Sequence, residues 1–276
     1  IVLPSGTVRL VKTGDPATPV QGNKLRVAGN ADIDVAGDTL VFGPKQVGTP
    51  GGTVSLEAET GTLELAAGAV LDVSGATDAE AGTLELRAAQ GAVSFAPGLR
   101  LLARDSAQST GSLLLDAGSL ASSDPTVGNA MTSLSAVLES GGFRASRKLR
   151  LRDQDILIET GSTIRAREIR LVSDTGSVTV DGSLDASGPA AGSIWLAAGD
   201  RLNISGTLLA RASDERAEGG RVDLFALDAD GDDGLAGTDV VNLLAGSLVD
   251  VTGGTGGSGG DVFVHKGWFL SDTEAR

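Results

Sequence analysis

A pair of apolar residues two positions apart, in several copies preceded by glycine, returns along this chain at an interval close to that of one supersecondary unit. The pairs are Val54/Leu56, Leu84/Leu86, Leu113/Leu115, Leu149/Leu151, Ile169/Leu171, Ile194/Leu196, Val222/Leu224 and Val262/Val264, at successive spacings of 30, 29, 36, 20, 25, 28 and 40 residues. The alternation recurs inside one interval. Residues 51–75 read GGTVSLEAETGTLELAAGAVLDVSG, with Val54, Leu56, Leu63, Leu65, Val70 and Val73 forming one apolar face and Gly61, Gly68 and Gly75 breaking it. Short alternating runs between glycines specify strands rather than helices. One such group of about three strands cannot bury its apolar face alone, so successive groups must stack strand on strand. The expected fold is all-β: a right-handed parallel β-helix of about 8–10 coils, its hand following the general bias of parallel connections.

Residues 1–50 are expected to add a coil or two with irregular turns at GDPATP and FGPKQVGTP, and 51–276 to form the main stack, in effect one continuous solenoid domain. Two segments break the period. In DPTVGNAMTSLSAVLESGGF, residues 124–143, Met131, Leu134, Val137 and Leu138 carry helical spacing. A short helical insertion is expected near 129–140, with Asn129 as N-cap and Gly141 as the stop. TGGTGGSGGD, residues 252–261, reads as a long turn, because the strand DVFVHKG follows it directly.

Composition narrows the class of function. Aromatic residues make up only 3% of the 276 and Tyr and Cys are absent, so the core must come from Leu, Val, Ile and Ala, which suits a narrow interior. A formal charge of −14 argues against a nucleic-acid partner held through phosphates and against anionic membranes. No apolar run approaches the roughly 18 residues of a spanning helix, so membrane insertion is not expected. The opening IVLPSGTVRL has no signal-peptide pattern, which leaves a chain that is soluble as given or a segment of something longer. Absence of cysteine excludes disulfides and Cys-ligated zinc, and suits a chain that crosses a secretion pore unfolded.

The pattern G-x-φ-x-φ-x-A, then G-x-φ-x-φ, then G-x-φ-φ-x-φ-S-G, resembles the rod of filamentous haemagglutinin-like exoproteins of two-partner secretion. GGTVSLEAETGTLELAAGAVLDVSG, VNLLAGSLVDVTGGTGGSGGDVFV and SLSAVLESGGFRASRKLRLRDQDILIE carry the likeness, over roughly residues 51–266. The resemblance implies a right-handed β-helix secreted to the Gram-negative cell surface through an outer-membrane transporter. It further implies work in adhesion, in biofilm matrix, or as a stalk. The Asn-Pro-rich secretion motif of such proteins has no counterpart in this sequence, so the expectation is interior rod.

Because alternate residues point outward, the outer row of the main sheet can be read off as Ser55, Glu85, Leu114, Arg150, Arg170, Trp195, Asp223 and Phe263. Trp195 is expected to face out with Arg170 of the preceding coil against it. Trp195, Arg170 and Arg150 are therefore the candidate surface for a glycan, a host or bacterial surface, or a neighbouring rod; the alternative is a turn folded over the indole. Arg144, Arg147, Lys148, Arg152, Arg165 and Arg167 extend a basic zone. It is read either as an anion-binding patch or, in the blander reading, as solvated charges that pair across coils with Asp153, Glu159 or Glu168.

LDADGDDGLAGTD is the candidate calcium loop, with Asp228, Asp230, Asp232 and Asp239 at loop positions 1, 3, 5 and 12. Asp233 stands where such a loop wants glycine, so an acidic turn without metal is the competing reading. No other cofactor is expected. β-Helix lyases and glycosidases work through clustered carboxylates or Lys/Arg on one face, and Asp153/Asp155 and Asp232/Asp233 have no aligned partners of that kind. His265, the single histidine, alternates with inward Val264 and reads as a surface residue. The expected function is a non-catalytic, secreted cell-surface rod or fibre segment. The alternatives are a polysaccharide-processing β-helix enzyme and a self-assembling filament subunit whose coils pair with other copies. Trp268, Phe269 and Leu270 are candidates to fold over the last coil.

Overall fold

The structure, a computed structural model, describes residues 1–14, 23–105, 110–123, 129–226 and 240–266. The chain divides into two compact units, 1–147 and 148–276. It is mostly β, with its strands in stacked parallel sheets and a single helix among the described residues.

In the first unit the strands are β1 (Thr7–Lys12), β2 (Lys24–Val27), β3 (Asp32–Asp34), β4 (Thr39–Phe42), β5 (Lys45–Gly48), β6 (Thr53–Ala58), β7 (Thr62–Leu65), β8 (Val70–Asp72), β9 (Thr83–Phe95), β10 (Arg100–Leu102) and β11 (Ser112–Ser122). β1, β6, β9 and β11 pair in parallel, so Val8, Val54, Leu84 and Leu113 fall in one column and Leu10, Leu56, Leu86 and Leu115 in another. β2 and β7 pair with each other, and β7 with the second half of β9. β3, β8 and β10 form a third parallel ladder. Apart from β4 and β5, strands consecutive in sequence thus go to different ladders and each returns beside its counterpart of the previous repeat.

The second unit holds β12 (Ser146–Leu151, nearly all of it here), β13 (Ile156–Ile158), β14 (Thr163–Arg165), β15 (Glu168–Ser173), β16 (Val178–Val180), β17 (Ser183–Asp185), β18 (Ser193–Ala198), β19 (Arg201–Ile204), β20 (Thr207–Leu209), β21 (Arg221–Ala226), β22 (Val240–Leu243), β23 (Leu248–Asp250) and β24 (Asp261–Lys266). The rotation is stricter here. The ladders run β12-β15-β18-β21-β24, β13-β16-β19-β22 and β14-β17-β20-β23. Ile169, Ile194, Val222 and Val262 share a column, as do Ile164, Leu184, Leu208 and Val249.

Glycine sets the corner before the main ladder. Thr53 N–H donates to Gly6 O, Thr83 N–H to Gly52 O and Asp261 N–H to Gly220 O, at 2.9, 3.1 and 3.0 Å. Each of these carbonyls also abuts the glycine that precedes the donor. A Cβ on Gly52, Gly82 or Gly260 would sit 1.9, 1.8 or 1.8 Å from it. The corner after the third strand is set by aspartate. Asp34, Asp72, Asp185 and Asp250 each accept from the backbone N–H two residues on, an Asx turn that ends the strand before Gly37, Gly75, Gly188 and Gly253. Between these corners the phase differs from expectation at one point: Ala69, Leu71 and Val73 are buried and Val70 lies outside them, because the left-handed turn at Gly68 starts β8 with Ala69 inward.

The interruptions are ordered. α1 (Ala130–Gly141) begins at Asn129, whose side chain accepts from Thr132 N–H at 2.9 Å. It ends one residue later than expected, because Gly142 (φ 91°) takes the left-handed position while Gly141 stays helical. Gly141 packs on β10: its carbonyl accepts from Ala103 N–H at 2.8 Å, and a Cβ there would meet Leu101 O at 1.9 Å. α1 therefore lies against the edge of the β3-β8-β10 ladder, where a further strand would otherwise pair. The excursion near residue 44 is an antiparallel hairpin, β4–β5, which leaves Leu40, Val41 and Phe42 exposed. The glycine-rich run is an ordered turn bonded to the preceding one through Gly254 N–H to Ala217 O and Gly219 N–H to Ser258 O.

Gly82→Ala is expected to cost roughly 2–3 kcal/mol in chemical denaturation, the upper end of ordinary substitutions, because the clash is with backbone that cannot yield. Gly43→Asn, in the open hairpin turn at φ 60°, is expected to stay within about 0.5 kcal/mol, since Asn tolerates the left-handed region.

Candidate functional site

Trp195, Arg170 and Arg150 all lie on the second unit. Register places Arg170, Trp195, Asp223 and Phe263 side by side on β15, β18, β21 and β24. Two residues further along, Val172, Ala197, Phe225 and His265 form a second row on the same face. The Arg170 guanidinium carbon sits 4.1 Å from the Trp195 ring centre, a cation–π contact along the stacking direction. Phe225 approaches the indole at 5.0 Å, tilted by 38°. Beneath these two rings Val172 and Ala197 are fully buried, so this face carries a small apolar cluster of its own.

The cluster continues to β24. His265 stacks on Phe225 at 4.9 Å and 9°, half-buried rather than free on the surface. Arg221 makes two bonds to Asp223, at 2.6 and 2.7 Å, and lies 4.5 Å over the Phe263 ring. The bonded carboxylate, by hydrogen bond first and by charge second, raises the Arg221 pKa above its ordinary value, so the group stays cationic. Arg150 donates from Nε to both oxygens of Asp174, at 2.8 and 3.1 Å. The indole thus meets a guanidinium and a phenyl ring, and the nearby cations meet carboxylates or rings.

The basic zone divides. Lys148 pairs with Glu168 across one strand step at 2.9 Å, and Arg165 approaches Asp185 at 3.6 Å. Arg147 departs from the expectation of a solvated charge: it is fully buried, because the alternation S-R-K-L-R-L puts it on the same face as Leu149 and Leu151. Its Nε donates to Phe143 O at 2.6 Å and one terminal nitrogen to Glu139 of α1 at 2.9 Å. That alternation was visible in the sequence, and the positive charge masked it. The second outward row carries no sequence signal of its own, because it lies beyond the apolar pair that marks each strand.

Asp228, Asp230, Asp232 and Asp239, the candidate calcium ligands, lie outside the described residues, as do Trp268, Phe269 and Leu270. Among the described residues no three His, Cys, Asp or Glu side chains converge as a metal site would require. Asp155 accepts from Ser177 N–H at 2.8 Å and so fixes the turn before β16. The chain matches no protein-family model, no curated protein and no solved structure.

A double-mutant cycle on Arg170→Ala and Trp195→Ala is expected to give a coupling of roughly 0.5–2 kcal/mol in thermal or chemical unfolding. Glu139→Gln, which removes a carboxylate bonded to the buried Arg147, is expected to cost about 3 kcal/mol or more. Adding Arg147→Met to it should recover part of that loss, since an apolar side chain needs no counter-ion.

Proposed function

We propose that this chain is a right-handed parallel β-helix segment of about 8–10 coils, and that it serves as a non-catalytic scaffold in a secreted cell-surface rod or fibre acting in adhesion, cell contact or matrix formation. One observation carries the reading: outward polar side chains are bonded to polar side chains of the neighbouring repeat, either directly opposite or diagonally. Ser55 donates to Glu85, Ser177 to Asp200, Thr207 to Ser183 and Asn242 to Asn203, at 3.1, 2.9, 2.8 and 2.8 Å. Arg9 bonds to Glu57 and Lys24 to Glu64 diagonally, two residues along the neighbouring strand. A face built for catalysis keeps its functional groups aimed at a substrate. Here the groups are committed to the ladder, which supports a part whose work is to hold distance and present surface.

The strand rotation supports the coil reading, and the right hand follows from the bias of parallel crossovers. Secretion and adhesion rest on the resemblance to filamentous haemagglutinin-like exoproteins.

Displayed on a non-adherent Gram-negative host as the passenger of a surface-display fusion, the chain is expected to raise cell–cell or cell–surface attachment severalfold over an unrelated passenger of similar size. Attachment equal to the control would end the adhesive reading. Cleavage of any member of a panel of acidic and neutral polysaccharides by the purified chain would replace it with an enzymatic one.

A further inference from the structure

The hairpin β4–β5 stands at a corner that other repeats fill with a plain turn, since β8, β17, β20 and β23 are each followed by a strandless one. Its base is pinned from both sides. Ser5, in the turn before β1, bonds through its hydroxyl to Thr49 Oγ1 and Pro50 O, at 2.7 and 2.8 Å. On the other side Gly37 N–H donates to Ser74 O and Ala76 N–H to Thr49 O, at 2.8 and 3.1 Å. Thr49 N–H closes the base on Asp38 O at 2.9 Å. The neighbouring turns, 4–6 and 75–82, are both described and hold no strand, so the hairpin outreaches them by its own length.

Leu40 pairs with Val47 across the hairpin and Phe42 with Lys45, so these four share one face, while Val41 and Gln46 share the other. Leu40, Val41, Phe42 and Val47 are 44%, 64%, 62% and 39% exposed. Apart from residues 1–3, β1 and the β22–β24 layer, no other large apolar side chain is exposed among the described residues. Residues 39–48, TLVFGPKQVG, carry Lys45 and no acid, on a chain whose charge is −14. At the tip Gly43 takes φ 60° and Pro44 follows it, which removes one N–H donor from the leading edge.

We infer that this hairpin docks on a zwitterionic lipid surface, with Leu40, Val41 and Phe42 entering the headgroup boundary and the Lys45 ammonium at the phosphates. A protein laid on either face would leave an apolar side chain of the other face in water. Four side chains also fall short of the roughly 800 Å² per partner that a stable protein interface buries. A lipid boundary closes round the tip from all sides and needs no matching shape. A tip with fewer N–H groups loses less on leaving water. Lys45 can lay its aliphatic stem beside Phe42 and keep its charge at the headgroups. The acidic remainder of the chain opposes an anionic surface, which selects a zwitterionic one. The contact is a shallow anchor rather than a span, and it does not depend on the scaffold reading.

Flotation with phosphatidylcholine vesicles tests this, with the purified chain, Val41→Asp/Phe42→Asp and Phe42→Trp. The wild type is expected to float with the vesicles as lipid is raised, and the double variant to lose about tenfold or more in apparent affinity. Replacing part of the lipid with phosphatidylglycerol should weaken wild-type binding at about 0.01 M salt and much less at about 0.15 M, as the Debye length falls from about 30 to about 8 Å. In Phe42→Trp the emission should shift to the blue on adding vesicles and be quenched by bromine-labelled acyl chains, against a baseline set by Trp195 and Trp268 in the wild type. Both variants alter only exposed residues, and far-UV circular dichroism checks that they fold. A wild type that does not float at millimolar lipid, a double variant that floats as well as the wild type, or an unshifted Phe42→Trp emission would overturn the inference. So would wild-type self-association, seen by sedimentation velocity without vesicles and abolished in the double variant, which would make a second copy the occupant. Attachment in the display assay by a chain that ignores vesicles would remove the lipid contact and leave the scaffold reading standing.

Discussion

The main ladder of each unit depends on the hydrogen bond at the corner where one repeat passes over the last. A backbone N–H reaches the carbonyl of the equivalent residue one repeat earlier, Gly6, Gly52 and Gly220 but also Arg167, and the approach is so close that the glycine before the donor admits no Cβ. Once the corner is fixed, the phase of the following strand is fixed. Phase then decides which residues face in, since a slip of one residue would turn every apolar side chain outward. The aspartate turn at the end of the third strand performs the same service at another corner, by bonding its own backbone rather than by close approach.

This order of cause explains which features were readable from the sequence. The apolar pairs align because glycine and a small polar residue precede most of them, and each such pair occupies the column expected of it. Val70 misled because a strand of three residues offers too little alternation to fix phase, and the decisive element was the turn at Gly68. Arg147 misled because its charge outweighed a pattern that placed it inward, and its counter-ion sits on a helix of unrelated sequence. The contact between Arg170 and Trp195 was readable because it joins residues in one column. The ring stack of Phe225 and His265 was also a column, but no glycine or apolar motif points to the second outward row.

The outer face is organised by the same rule as the core. Stacked repeats place like beside like at about 4.8 Å, a spacing suited to hydroxyl, amide and ion-pair ladders and to rings. Each rung contributes little, and the number of rungs makes the total. A ladder that satisfies its own polar groups resists unfolding and offers few groups to a ligand. The aromatic strip on the second unit follows suit, since its guanidinium, indole, phenyl and imidazole groups lie against one another.

Recognition is then expected where the ladder is interrupted, and the interruptions differ in how they treat a strand edge. At α1 the chain spends twelve residues on a helix whose last carbonyl accepts from the N–H after β10, so the edge of that ladder is covered from within. The hairpin β4–β5 solves nothing of the kind, and it holds three apolar side chains away from any core. β24 carries valine in the columns of Val222 and Leu224 but lysine, Lys266, in the column of buried Ala226, and a charge at an inward position is one of the devices that blunt a strand edge.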